Sequence, residues 1–169
     1  MNLVKTTYLF LICFFITSCE NIIMYHSYQH IPSNGWNKSD TITFHLMVND
    51  SLTNDSTPGL YNLQLLVRNN TEYKYQHLSL YVENNFPDST IWRKDTIRFE
   101  IADENGRWLG KGISGLYENS RVLDAVHLKN PHRFTFKIIP LMNDSILTGL
   151  NDIGVIAYKE KSLNLHLAN

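Results

Sequence analysis

Cysteine is nearly absent: the 169 residues contain two, Cys13 and Cys19, both close to the N-terminus. No disulfide framework and no Cys-ligated metal centre can be assembled beyond residue 19 from that supply. An excess of one charge is missing too, with 15 Lys plus Arg against 16 Asp plus Glu and a formal net charge of -1. Nucleic-acid binding leans on a basic excess that releases counterions from phosphates, so nucleic acid is excluded as a partner. After the N-terminus no apolar run approaches the roughly 20 residues that cross a bilayer as a helix. Internal repeats and low-complexity tracts are lacking as well. What is present, 43% hydrophobic and 12% aromatic residues, can fill the core of one domain at this length.

The N-terminus reads as an export signal. Lys5 supplies a positive n-region, and Tyr8 to Ile16 is an uninterrupted apolar stretch too short to span a membrane. It ends in Ile16-Thr17-Ser18-Cys19, the pattern of a bacterial lipobox, in which cleavage before the cysteine leaves its thiol to carry a diacylglyceryl group. Residues 1–18 are therefore expected to be a lipoprotein signal peptide, with Cys19 the acylated first residue of the mature chain. Residues 19–32 are expected to be the lipidated N-terminus and tether, and 33–169 a single folded domain. Two or more acyl chains anchor stably where one binds reversibly.

Period-two alternation dominates the rest. Ile42, Phe44, Leu46 and Val48 fall on one face, as do Tyr61, Leu63, Leu65 and Val67, then Leu78, Leu80 and Val82. Ile97, Phe99 and Ile101, and Phe134, Phe136 and Ile138, repeat the pattern; Ile153 to Tyr158 is a short apolar run, and Leu163, Leu165 and Leu167 alternate again. Each set predicts a half-buried strand. Turn formers separate them, and Asp103-Glu-Asn-Gly106 predicts a hairpin turn. Only Gly115 to Val126 offers a helical segment. The expected fold is all-β: an antiparallel two-sheet β-sandwich, jelly-roll or immunoglobulin-like, of about 7–9 strands with little helix. Phe44, Leu63, Leu65, Leu80, Phe99, Phe134 and Phe136 are its predicted shared core.

Reaction chemistry is harder to find. Gly110-Lys-Gly112-Ile-Ser-Gly115 matches G-x-G-x-x-G, but the strand, helix and distant acidic residue of a dinucleotide site are missing, and glycines serving a tight hairpin are the better reading. The 7 histidines are scattered and form no His-Glu-x-x-His frame, so no metal or cofactor is expected. No Gly-x-Ser-x-Gly elbow occurs, and the chain is not read as an enzyme. Aromatics near predicted loops (Trp36, Tyr73, Tyr75, Trp92 and Trp108) either cap the core or dock a partner or sugar. Six Asp-Ser or Asp-Thr pairs resemble O-glycosylation acceptors; Ser51, Ser56 and Ser89, in predicted loops, are the favoured sites.

Several motifs occur in a fixed order after the lipobox: Trp36-x3-Asp40, Tyr61-x-Leu63 to Arg68-Asn69, Tyr73-x-Tyr75-x2-Leu78, Asp95-Thr96, Gly106-x-Trp108-x-Gly110-x-Gly112, and Leu147-x-Gly149-Leu150-x-Asp152-x-Gly154. Together they resemble the gliding-motility lipoprotein GldH family of Bacteroidetes, with His77 and Asn143 standing where that pattern leads to Asn and Arg. The resemblance implies a non-enzymatic cell-envelope lipoprotein associated with the gliding machinery, which overlaps the type IX secretion apparatus. Expected partners are a membrane, through the N-terminal lipid, and another envelope protein; the expected location is the periplasmic face of the outer membrane rather than the inner membrane. Arg68, Tyr75, Trp92 and Trp108 are the candidate binding residues. The alternative is a lipid-anchored glycan-binding β-sandwich using the exposed aromatics.

Overall fold

Alternation becomes strand throughout the computed structural model, which describes residues 22–48, 59–86, 88–128 and 132–159. In chain order the strands are β1 (Ile22–His30), β2 (Trp36–Asn37), β3 (Ile42–Val48), β4 (Gly59–Asn70), β5 (His77–Asn84), β6 (Arg93–Glu100), β7 (Lys111–Ile113), β8 (Leu116–Leu128), β9 (His132–Pro140), β10 (Ile146–Leu147) and β11 (Leu150–Lys159). Eight of them run seven residues or longer, and β2, β7 and β10 are short. No helix occurs among the described residues.

One sheet has five strands in the order β1-β11-β4-β8-β7, the other four in the order β3-β9-β5-β6, and β10-β2 forms a two-stranded ribbon. All the paired strands are antiparallel. The apolar faces of the two larger sheets meet in one core, so the fold is the expected all-β sandwich. Leu63, Leu65, Ile153 and Val155 project from the five-stranded sheet against Phe44, Leu80, Phe99, Phe134 and Phe136 of the other. The seven residues expected to share that core are all buried in it.

Three expectations fare differently. The segment 19–32 is not a free tether as far as it is described, because Ile22–His30 is strand β1, paired with β11 along its whole length. The reason lies in β11, whose buried Ile153, Val155 and Ala157 make it a central strand. Buried backbone donors and acceptors need partners on both edges, and β4 supplies only one. Gln29 then clamps β1 to the other sheet, its Nε2 donating to the Thr43 carbonyl at 2.6 Å. The folded domain thus begins by residue 22, not 33.

The second correction concerns the helical reading of Gly115 to Val126. Gly115 is a turn residue, and the rest of that stretch lies in β8, which pairs with β4 from Leu116↔Asn70 to Leu128↔Gly59. Its alternation is hidden because Asn119 and Arg121 occupy positions that apolar residues hold elsewhere. Asn119 is buried and donates to Asn69 Oδ1 at 3.2 Å, while Arg121 reaches the Arg98 carbonyl of β6 at 2.9 Å. The third expectation, a strand through Leu163, Leu165 and Leu167, lies outside the described residues.

The glycine-rich motif is structural. Ser114 and Gly115 have φ of 56° and 84° and join Ile113 to Leu116, the positive pair that a two-residue hairpin of this twist needs. A Cβ on Gly112 would sit 2.0 Å from the Leu116 carbonyl oxygen, so only glycine fits there. At the other predicted hairpin, Gly106 N–H donates to the Asp103 carbonyl at 2.9 Å and Ala102 bridges Trp108.

Candidate functional site

Strand alternation sends Leu65 and Val67 into the core and Arg68 to the outer face of the five-stranded sheet. Register then sets its neighbours, with Asp152 of β11 opposite on one side and Glu118 of β8 on the other. Tyr28 comes from β1 and reaches the same cluster by lying flat over Gly154. A Cβ at that glycine would be 2.5 Å from two ring carbons, so the missing side chain is what lets the ring lie down.

These groups form one network. Tyr28 Oη and Arg68 Nε both donate to Glu118 Oε2, each at 2.7 Å. The guanidinium lies 3.8 Å from the Tyr28 ring centre, and its Nη1 is 3.9 Å from Asp152 Oδ2. His30 Nδ1 meets Asp152 Oδ1 at 3.1 Å, and the His26 ring sits edge-on to Tyr28 at 5.1 Å.

Burial, with the Glu118 hydrogen bond next, pushes the Tyr28 hydroxyl up to about 12, so it is a fixed donor at neutral pH. Burial pushes the Glu118 carboxyl up as well, but the hydrogen bonds from Tyr28 and Arg68, with the guanidinium charge, outweigh it and hold the carboxyl below its usual range. Neither group exchanges protons near neutrality. Tyr28, Arg68 and Glu118 thus present one fixed donor and two fixed charges on this face. Toward β7 the surface drops into an open groove of about 530 Å³, bounded by Gln64, Leu66, Lys111 and Glu118 among others.

The other candidate residues are not gathered here. Tyr75 stands between the β4 and β5 ends, its hydroxyl donating to Asp144 Oδ2 at 2.5 Å and its ring edge-on to buried Tyr73 at 5.8 Å. Trp92 precedes β6, exposed, with Lys137 Nζ 4.6 Å from its ring centre. Trp108 is half-buried against the core and stacked on Tyr117 at 5.5 Å. Trp36 is buried and donates from Nε1 to the Asp40 carbonyl at 3.1 Å.

Ser89 sits exposed in the turn where Thr90 bonds Asp88. Cys19, Ser51 and Ser56 lie outside the described residues. Tyr28, Glu118 and Asp152 had no assigned role in the sequence reading. The Asp152-x-Gly154 spacing was the available signal, a strand glycine beside an outward carboxylate.

Comparison with known proteins places this geometry in a family. The model of the GldH lipoprotein family matches residues 23–156, nearly the whole described sandwich. A gliding motility lipoprotein GldH homolog of Christiangramia forsetii is 33% identical over 103 residues, 61% of this chain and 58% of that protein. The chain therefore matches little more than half the length of that relative. Among solved structures, dimeric latent PorU from Porphyromonas gingivalis overlaps 85% of this chain and 14% of its own, at TM-score 0.32 and 14% identity. The Gx strain of infectious bursal disease virus overlaps 88% of this chain and 33% of its own, at TM-score 0.29 and 15% identity. Overlaps that distant carry no argument. The sequence motifs, the sandwich that holds them and the family match agree, and the chain belongs to the GldH lipoprotein family.

Proposed function

We propose that the protein is a non-enzymatic assembly component of the gliding or type IX secretion-associated machinery. In this reading it is anchored through acylated Cys19 to the periplasmic face of the outer membrane and holds another envelope protein. The observation that carries this is the extent of the family match, which runs from β1 to within three residues of the end of β11 and so takes in nearly the whole described sandwich. The gliding role is carried over from the Christiangramia forsetii relative, a gliding motility lipoprotein GldH homolog. The outer-face network around Arg68 supports recognition of a polar partner, since its donors and charges are held in place before any partner arrives.

The test is co-purification of the acylated protein from host membranes in mild detergent. A stoichiometric envelope partner, lost in Arg68→Ala with the fold intact, is the expected result. Recovery of the chain alone, or a partner indifferent to Arg68→Ala, would count against this face as the binding site. Cys19→Ser should release the domain from membranes or block processing, and an intact mass with a free N-terminus at any other residue would refute the anchor. Ser51, Ser56 and Ser89 remain proposed O-glycosylation sites, and unmodified peptides from host-derived protein would remove them.

A further inference from the structure

The distance from the acylated cysteine to the fold is very short. Cys19 precedes Ile22, the first residue of β1, by three peptide steps, and a fully extended chain covers about 3.3–3.6 Å per step, or about 10 Å in all. The headgroup layer alone takes up roughly 5–8 Å on each side of the hydrocarbon. The end of the sandwich where β1 begins is therefore held against the membrane surface if Cys19 carries lipid, and the inference rests on that part of the proposed function.

Register identifies that end. Ile22 pairs with Lys159, Lys159 with Tyr61, and Gly59 with Leu128, so one end of the five-stranded sheet is defined. Only four steps separate Leu128 from His132, which begins β9 and pairs with Val48, so the four-stranded sheet ends there too. The opposite pole is the β7–β8 hairpin at Ile113 and Leu116. The twelve steps from Leu116 to Leu128 set it about 40 Å away at about 3.3 Å per residue.

Near the anchored end, the outer face of the four-stranded sheet has an interfacial composition. Met47 is 42% exposed beside its cross-strand neighbour Arg133; Trp92, 43% exposed, has Lys137 Nζ of the same face 4.6 Å from its ring centre, and Ile91, the residue before it, is 58% exposed. Among the described residues Arg133 has no carboxylate partner, while Lys94 is paired with Glu83 at 3.2 Å. An open groove of about 580 Å³ runs between His45, Met47, Asn85, Arg133 and Thr135. Tryptophan favours the headgroup level of a bilayer, and Lys and Arg are drawn to anionic lipid there. We propose that this face, with Arg133 and Lys137 as its cations and Met47, Ile91 and Trp92 as its apolar contacts, docks on phospholipid headgroups, so that the domain lies tilted with the β7–β8 hairpin pointing away from the membrane.

The test uses the acylated mature chain in vesicles of phosphatidylethanolamine and phosphatidylglycerol that include a nitroxide-headgroup lipid. Acylation blocks Cys19, so Met47→Cys or Ile113→Cys adds the only free thiol for a fluorophore. The expected result is strong quenching at Met47 and none at Ile113, with the Met47 signal restored by Arg133→Glu combined with Lys137→Glu. Quenching should also persist when a flexible Gly/Ser linker is inserted between Asn21 and Ile22. Equal quenching at both positions, no quenching at Met47, or quenching indifferent to the paired charge reversal would overturn the proposal. A Met47 label that escapes lipid quenching but is shielded in host membranes would assign the face to a protein instead. Intact mass separates the two readings: absence of the acyl group at Cys19 removes the anchor and the docking together, whereas an acylated chain with an unquenched Met47 label removes the docking alone.

Discussion

Gly154→Ala tests how the outer-face cluster is built. The new methyl would lie 2.5 Å from two ring carbons of Tyr28 and 3.1 Å from a third, too close for the ring to remain where it is. Lifting the ring removes the 2.7 Å bond from its hydroxyl to Glu118 and the 3.8 Å contact with the Arg68 guanidinium. A hydrogen bond to a charged group contributes about 1.5–3 kcal/mol, and a cation–π contact at a partly exposed site about 0.5–1 kcal/mol. Solvent screening at this half-open site reduces both. Replacing a strand glycine by alanine returns roughly 0.5–1 kcal/mol of backbone entropy. The net expectation is a loss of about 1–2 kcal/mol.

Urea denaturation reads this directly, because an m-value of about 1–3 kcal/mol per molar turns such a loss into a midpoint lowered by roughly 0.5–1 M at unchanged slope. The decisive control is the same substitution in a Tyr28→Ala background, where no ring remains to be displaced. There Gly154→Ala should be neutral or slightly stabilising. Equal destabilisation in both backgrounds would show that the glycine serves the backbone and not the tyrosine, and the account of the cluster would be wrong.

Other outcomes follow from the same geometry. Phe136→Ala, at a fully buried site between the sheets, should cost about 3–5 kcal/mol, while Trp92→Ala at an exposed site should cost under about 0.5 kcal/mol; matching midpoints in urea would refute the core assignment. Asn85→Ala removes the acceptor of the 2.6 Å bond from Thr135 N–H and the donor of the 2.7 Å bond to the Ser89 carbonyl. The cost should be about 1–3 kcal/mol, with faster hydrogen exchange at Thr135 as the specific signature. Glu118 has a folded-state pKa below its unfolded value, so its stabilisation is present above the unfolded pKa and fades as pH falls through the folded one. Urea midpoints should therefore drop on acidification below about pH 4, and Glu118→Gln should flatten that limb; an unchanged acid limb in the variant would sink the assignment.

The strands of the core were legible because each carries a simple apolar alternation that half-burial rewards, as in Leu78, Leu80 and Val82. The Ser114–Gly115 turn was legible for a similar local reason. β1 was not, because its membership is decided by a partner more than a hundred residues away: Ile22–His30 is a strand because β11 needs a second edge. β8 was obscured by Asn119 and Arg121, whose polar groups find partners at Asn69 and Arg98 only after the sheets have assembled. The cluster around Arg68 was visible as a single residue. Its companions Tyr28, Glu118 and Asp152 sit on three other strands, and no local spacing in the chain announces a neighbourhood created by register.

The long pairing of β1 with β11 also bears on how the molecule would carry a mechanical load. The two strands run in opposite directions through eight register pairs, from Ile22↔Lys159 to His30↔Asp152. Tension entering at Ile22 and resisted from the hairpin pole would pull β1 along its own axis, so the ladder bonds share the force in shear instead of opening one after another from an end. Two further ties resist the same slip, the Gln29 bond to Thr43 at 2.6 Å and the Ile31 N–H bond to the Asn151 carbonyl at 2.8 Å. Pulled from the other direction, across the sheet, the same strand would peel away pair by pair at much lower force. A domain attached by its first strand in this way is strong along one axis and weak across it.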